Sequence, residues 1–267
     1  MSHNQNKEGE IKELEKKLEH LKKQQENKNN INPYLMPIAI IIAGFLVAGA
    51  VLYSQNNNPN PQVASAIQTQ QPLSGGSSGN VIPVSSEDHI KGDPNALVKI
   101  IEFSDFECPF CKVFHTIMGE IMNNYGKRGK VAWIYRHLPV DNIHTKARKE
   151  AVASECANEI GGNTAFWKYA GRIFEITPSN DNLDLSLLSE IAEYSGVAGV
   201  AFDECLESGR YDEHIENDFR DAINSGANGT PYTIILSQNG TTFPLNGAQT
   251  YATLASFIEL ALKEGNN

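Results

Sequence analysis

The sequence predicts a mixed α/β domain of order βαβ, helical insert, ββα, set behind one apolar segment of membrane-spanning length. Three observations carry that reading. A β-branched apolar run, Leu97 to Phe103, leads into Cys108-Pro109-Phe110-Cys111 and then into a segment with helical spacing (Val113, Ile117, Ile121, Met122). Lys146 to about Ser225 keeps its apolar residues at helical spacing and shows no strand pattern. From Thr230 the pattern returns to β, with Asn239-Gly240 as a hairpin signal, before an amphipathic closing segment.

Length and charge narrow the function classes. The chain has 267 residues, 40% of them apolar, enough for one domain with a full core plus extra segments. Its net charge is -10, and no long basic stretch follows the first thirty residues, so a nucleic-acid partner has no electrostatic support. All four cysteines, Cys108, Cys111, Cys156 and Cys205, lie beyond residue 100. In the cytosol they would suggest metal or catalysis, and outside it disulfides.

The N-terminal third speaks to compartment. Residues 1–34 form a charged helical arm, with Ile11, Leu14, Leu18 and Leu21 at 3-4-3 spacing. Two heptads fall short of the ~3 that a sustained coiled coil needs, so the arm reads as a solvated helix or a weak dimerising one. Residues 35–53 are uncharged, and at ~1.5 Å per residue they span close to the ~30 Å hydrocarbon core as a transmembrane anchor. Seven lysines precede this span and no Lys or Arg occurs from Ser54 to Ile90, which puts the N-terminus in the cytoplasm and the rest outside. A signal peptide cleaved at Ala48-Gly49-Ala50 or Ala64-Ser65-Ala66 is the competing reading. The long polar leader and the length of the apolar run favour an uncleaved anchor. Residues 54–80, rich in Asn, Gln, Pro, Ser and Gly, read as a flexible tether.

Residues 81–267 are then the outer domain. Val81 to Val84 is a candidate first edge strand, since Pro83 argues against a central position. Leu97 to Phe103 is apolar enough to be buried on both faces, and Lys130 to Arg136 is the next strand, giving a βαβ unit with an expected right-handed crossover. The Cys-x-x-Cys at the strand–helix junction places Cys108 at a helix N-terminus, where free N–H groups and the helix dipole lower a thiol's pKa. The helical insert runs from about 145 to 226. Tyr251 to Lys263 closes the chain with Leu254, Phe257, Ile258 and Ala261 on one face.

The remaining polar signals are weaker. Cys108 and Cys111 could be half of a zinc site, but no second close pair of cysteines completes it, so no metal and no cofactor is expected. His115, one turn beyond Cys111, reads as solvent-facing, and His137 and His144 show no ligand spacing. Asn228-Gly229-Thr230 and Asn239-Gly240-Thr241 match glycosylation sequons, but turns account for both.

Taken together, Val98-Lys99-Ile100-Ile101-Glu102-Phe103, Phe106-Glu107-Cys108-Pro109-Phe110-Cys111, Gly229-Thr230-Pro231 and Gly247-Ala248-Gln249 with Tyr251 resemble the DsbA-like branch of the thioredoxin superfamily over roughly residues 81 to 264. The resemblance implies a thioredoxin fold interrupted by a helical domain. It also implies a cis Pro231 against the Cys-x-x-Cys, exposing the Thr230 backbone to an extended client peptide. Cys108 would be the attacked sulfur and Cys111 the resolving thiol. Glu102 matches an acidic family position and reads either as a buried proton shuttle or as an exposed strand carboxylate. Cys156 and Cys205 read as a structural disulfide or as two buried thiols. One departure stands out: Phe110 occupies the position where well-known members carry His, which puts the strength of the oxidant in question.

The implied activity is an extracytoplasmic thiol-disulfide oxidoreductase that introduces disulfides into exported proteins. A quinone-linked membrane protein, DsbB-like or VKOR-like, would reoxidise it. The alternatives are a disulfide isomerase or reductase, and a non-catalytic module whose cysteines are structural or metal-bound.

Overall fold

The computed structural model describes residues 81–197 and 199–265, together with Lys16 and Lys17, which are helical. The rest of the predicted arm, the apolar span 35–53 and the tether lie outside the described residues. Among the described residues no helix is long and apolar enough to cross a membrane.

Five strands form one sheet: β1 (His89–Gly92), β2 (Val98–Ser104), β3 (Val131–His137), β4 (Tyr232–Ser237) and β5 (Thr242–Asn246), in the order β1-β3-β2-β4-β5. β2 and β3 run parallel, and the other pairings are antiparallel. Alternation along β2 and β3 divides their side chains between two apolar layers. Val98 and Ile100, with Val131, Trp133 and Tyr135, enter the larger core. Ile101 and Phe103, with Ala132 and Ile134, enter the smaller one. Burial on both faces is why these strands read as continuous apolar runs.

The first edge strand differs from expectation. Residues 81–84 are not a strand: Ile82 N–H donates to Asp221 Oδ1 at 2.9 Å and Ile82 O accepts from Arg136 Nη1 at 2.9 Å. Side chains satisfy this backbone, and Pro83 has no N–H to offer a ladder. The edge position goes instead to β1, with His89 opposite Tyr135 of β3.

Helix α1 (Pro109–Asn124) links β2 to β3. Its buried stripe is Cys111, Phe114, Met118, Ile121 and Met122, while Val113 is 55% exposed. Of the expected apolar positions, Ile121 and Met122 lie on this stripe, Ile117 is partly buried against it, and Val113 lies off it. Each large side chain on the true stripe gains ~1.5–3 kcal/mol on leaving water. Between β3 and β4 come α2 (Ala147–Ile176), α3 (Leu188–Ser195), α4 (Val200–Leu206) and α5 (Asp212–Asn224), with no strand among their described residues. Gly162, at φ 69° and ψ -174°, breaks α2 with a left-handed backbone that other residues rarely adopt. Phe219 and Ala222 of α5 cover the smaller core, whereas α1 to α4 and α6 (Tyr251–Glu264) contribute to the larger.

Candidate active site

β2 ends at Ser104, opposite His137 of β3, and a four-residue loop carries the chain into α1. Asp105 organises that loop. Its carboxylate accepts from Glu107 N–H at 2.7 Å and Val140 N–H at 2.8 Å, and meets His144 Nδ1 at 2.9 Å. Cys108 is then the N-cap of α1, in extended conformation, with Pro109 at the first helical position, where its missing N–H costs nothing. Cys108 and Cys111 are both buried free thiols. The Thr230-Pro231 bond is cis, and the Cys108 thiol donates to Thr230 O at 3.5 Å although the two residues are 122 positions apart.

The two thiols are electrostatically unequal. A hydrogen bond from the Cys111 thiol is the largest influence lowering Cys108 to about 6, assisted by Thr230 and by the N–H groups of Cys111 and Phe110, and only partly opposed by burial. Burial pushes Cys111 well above the ordinary thiol range, as does the adjacent charge on Cys108. At neutral pH Cys108 is thus mainly thiolate, and Cys111 holds its proton. The helix terminus placed Cys108, but the largest stabiliser of its charge is the neighbouring thiol.

Glu102 is fully buried, on the β2 face that carries Ile100. That removes the exposed-carboxylate reading. Trp133 Nε1 donates to its Oε2 at 2.8 Å, and Oε1 has no hydrogen-bond partner among the described residues. Burial raises this carboxyl to about 7, with a further contribution from the charge on Cys108.

His115 also departs from expectation. It is partly buried, its ring 4.9 Å from that of Trp133 and 4.8 Å from that of Phe174. Burial, and then the charge of Lys91, press its pKa down to about 3, so it is neutral and cannot substitute for the cation missing at Phe110. Phe110 itself, two residues beyond Cys108, is 63% exposed.

Several supporting residues escaped the sequence reading. The Glu107 carboxylate accepts from Asp181 N–H at 2.7 Å and Leu183 N–H at 3.3 Å, and Glu107 O accepts from Asn180 N–H at 2.8 Å. Ser179, Asn180 and Asp181 all have positive φ. A Ser-Asn-Asp run is a signal for left-handed turns, but nothing in the sequence ties it to the residue before Cys108. Cys156 of α2 and Cys205 of α4 are joined in a disulfide with a Cα–Cα distance of 5.7 Å. Close to Thr230, Leu138, Val140, Phe219, Ile223 and Gly229 line a largely apolar cavity of about 390 Å³.

Known proteins resemble this arrangement. The thioredoxin family model matches residues 85–260. Alpha-DsbA1 of Wolbachia pipientis superposes with a TM-score of 0.61 at 25% identity, over 71% of this chain and 98% of that one. DsbA2 of Pseudomonas aeruginosa gives 0.53 at 28% identity, over 68% and 97%. Oxidised BdbD of Bacillus subtilis gives 0.60 at 22% identity, over 69% and 97%, a likeness of fold. Among curated relatives, the Na(+)/H(+) antiporter NhaA 1 of Mycolicibacterium gilvum is 30% identical over 152 residues, 56% of this chain. The match spans only 23% of that antiporter's length, so its name describes a protein mostly outside the match. With the family model covering well over half of its length, the chain belongs to the thioredoxin family, and its architecture is DsbA-like.

Proposed function

We propose that this protein-disulfide oxidoreductase acts as a thiol oxidase on exported proteins, with Cys108 and Cys111 as its redox pair. The observation that carries the reading is the asymmetry of the pair: Cys108 lowered to about 6 and Cys111 raised well above the ordinary range. A stabilised Cys108 thiolate favours the reduced enzyme, which makes the oxidised enzyme the better electron acceptor.

In the reaction, a client thiolate attacks Cys108 Sγ of the Cys108–Cys111 disulfide. The S–S bond breaks, a mixed disulfide forms on Cys108, and Cys111 leaves with the electron pair. Glu102, with its pKa near neutrality, is the proton donor for that leaving sulfur. A second client thiolate then attacks the client sulfur of the mixed disulfide and Cys108 departs as thiolate. Two electrons have passed from client to enzyme, and the client has gained a disulfide. Thr230 and cis-Pro231 offer extended backbone beside Cys108, and the apolar cavity near Thr230 suits a client side chain.

The location is extracytoplasmic, behind an anchor at 35–53 that leaves the N-terminus in the cytoplasm. The lysine distribution supports this, and so does the Cys156–Cys205 disulfide, a bond rare in the cytosol. Reoxidation falls to a DsbB-like or VKOR-like membrane partner.

Equilibration with a thiol buffer of known potential tests the direction of the reaction. A value toward about -120 mV, the regime of DsbA, supports an oxidase, and one near about -270 mV, the regime of thioredoxin, overturns it in favour of a reductase or isomerase. Protease treatment of intact cells tests location. Loss of everything after Tyr53 with the lysine-rich arm spared is expected, and the reverse pattern refutes the topology.

A further inference from the structure

Behind the loop that carries Cys108, histidines from three separate elements converge on one carboxylate oxygen of a fourth. His89 opens β1, His137 closes β3, Glu155 lies in α2 and His214 in α5. The Nε2 atoms of His89, His137 and His214 stand 2.6 Å, 2.8 Å and 3.6 Å from Glu155 Oε1. His89, His137 and Glu155 are buried, and one ligand atom from each falls within 4.8 Å of the others. The His214 side chain is 37% exposed and forms the open edge of the cluster. None of the four has a part in the disulfide exchange.

Neighbouring groups fix how these rings point. The His89 imidazole stacks on Phe166 with 3.5 Å between centroids, and the His137 ring packs edge-on against Tyr135 at 5.3 Å. The His137 backbone N–H donates to Asp218 Oδ2 at 2.9 Å, and the same oxygen lies 3.9 Å from His214 Nε2. Ring packing thus holds the His89 and His137 imidazoles, while Asp218 fixes the His137 backbone and faces His214.

We propose that His89, His137, Glu155 and His214 bind a divalent first-row transition ion of the zinc type. Three imidazole nitrogens and one carboxylate form a borderline donor set that suits zinc, cobalt, nickel or copper, and poorly suits calcium or magnesium, which prefer oxygen. A tetrahedral ion with bonds of ~2.1 Å sets its ligand atoms about 3.4 Å apart. The His89 and His137 nitrogens, 2.6 and 2.8 Å from Oε1, need to open by less than an ångström to admit it, and His214, 3.6 Å from Oε1 but outside that tight group, would swing in from the open edge as the fourth ligand. The rings would bind through Nε2 as neutral imidazoles, with the proton on Nδ1.

Such an ion ties β1 and β3 of the sheet to α2 and α5 of the helical insert. It also stands close behind the reactive loop, because the Phe106 ring is 6.1 Å from that of His137 and Phe106 lies two residues before Cys108. The site is a clamp between the two layers at the place where the active-site loop rests on both.

The test uses the full chain carrying Cys108→Ser and Cys111→Ser, so that thiolate binding cannot imitate the site, after chelator treatment. Titration with Co2+ is expected to give visible ligand-field bands that saturate at one equivalent, and Zn2+ is expected to displace them and raise the Tm. His214→Ala, at the exposed edge, should weaken Co2+ binding by more than ~100-fold, beyond the ~10- to 100-fold typical of losing an outer-shell partner. His89→Gln should abolish the bands. Absence of stoichiometric binding overturns the proposal, as does tighter binding of Ca2+ than of Zn2+. Bands unchanged in a His214→Ala chain of native circular dichroism would place the metal elsewhere and equally refute it.

Discussion

Trp133 and Glu102 meet inside the sheet's larger core, where indole Nε1–H donates to the carboxyl Oε2 at 2.8 Å and leaves Oε1 with no partner among the described residues. A single neutral donor cannot replace the water that a carboxylate loses on burial, so this group titrates near 7 rather than near 4.5. The unpaired oxygen is on a group poised to hold or release a proton at working pH.

Glu102→Gln removes that proton traffic. In a single-turnover assay at pH 7, with a preformed mixed disulfide on Cys108, resolution by Cys111 is expected to slow by roughly 10²-fold, a general acid–base contribution. The wild-type rate should follow an ionisation near pH 7 that the variant lacks. An unaltered pH profile in the variant excludes Glu102 from proton transfer.

The same residue makes a stability prediction. Its folded-state pKa, about 7, exceeds the ordinary 4.5, so the folded state holds the proton more tightly than the unfolded chain. The contribution is fully present below pH 4.5 and lost as pH rises through 7. Glu102→Gln should therefore be the more stable protein above pH 7, by at most about 3 kcal/mol, and denaturant titrations at pH 5 and pH 8 measure the difference.

Alkylation of the reduced enzyme reports on Cys108. The rate with iodoacetamide should rise with a midpoint near pH 6, and Cys111→Ala should move that midpoint toward the ordinary ~8.5 by deleting the largest stabiliser of the thiolate. Phe110→His adds a hydrogen-bonding, potentially cationic ring next to the sulfur. Its midpoint should fall below 6 and its potential rise, by about 30 mV for each 1.4 kcal/mol of added thiolate stabilisation.

Removing the other cysteine pair tests the insert. The Cys156–Cys205 bond closes a separation of 49 residues between α2 and α4. Replacing both with Ala is expected to cost roughly 2–4 kcal/mol in denaturant unfolding while leaving the alkylation midpoint of Cys108 unchanged. A shifted midpoint would show that the insert tunes the reactive pair.

How much of this was readable beforehand depends on the range of the interaction. Local patterns located β2, β3, the α1 start and the β4–β5 hairpin, because continuous β-branched apolar runs, the switch to helical spacing after Cys108-Pro109-Phe110-Cys111 and Asn239-Gly240 act over a few residues. In α1 the expected stripe is right at Ile121 and Met122 and wrong at Val113, which is exposed while the core takes Phe114 and Met118, because only the sheet beneath decides which side is inside. Residues 81–84 misled for a similar reason, since Asp221 and Arg136, distant in sequence, satisfy their backbone. The Cys108–Cys111 pair was legible as a motif. Its partners were less so: Asp105 with His144, Glu107 with 180–183, and Glu155 with three histidines are contacts between separate elements that no spacing announces.

Glu150 is a further group hidden from the sequence, and the pH dependence it implies is open to test. It is buried in α2, and burial, followed by the Glu107 and Asp105 carboxylates, pushes it up to about 10, so it is protonated at neutral pH. The unfolded chain binds that proton only below about 4.5, so this contribution is greatest in acid and declines steadily as pH rises from 4.5 toward 10. Glu150→Gln keeps the shape and a neutral donor while removing the ionisation. Its stability should therefore exceed the wild type's by a margin that grows between pH 6 and pH 9, measured by denaturant midpoint at constant m-value. Because Glu107 holds the 180–183 segment behind Cys108, the substitution should preserve the alkylation midpoint if Glu150 is a neutral neighbour, and a constant stability margin across that pH range would show instead that its carboxyl is already ionised.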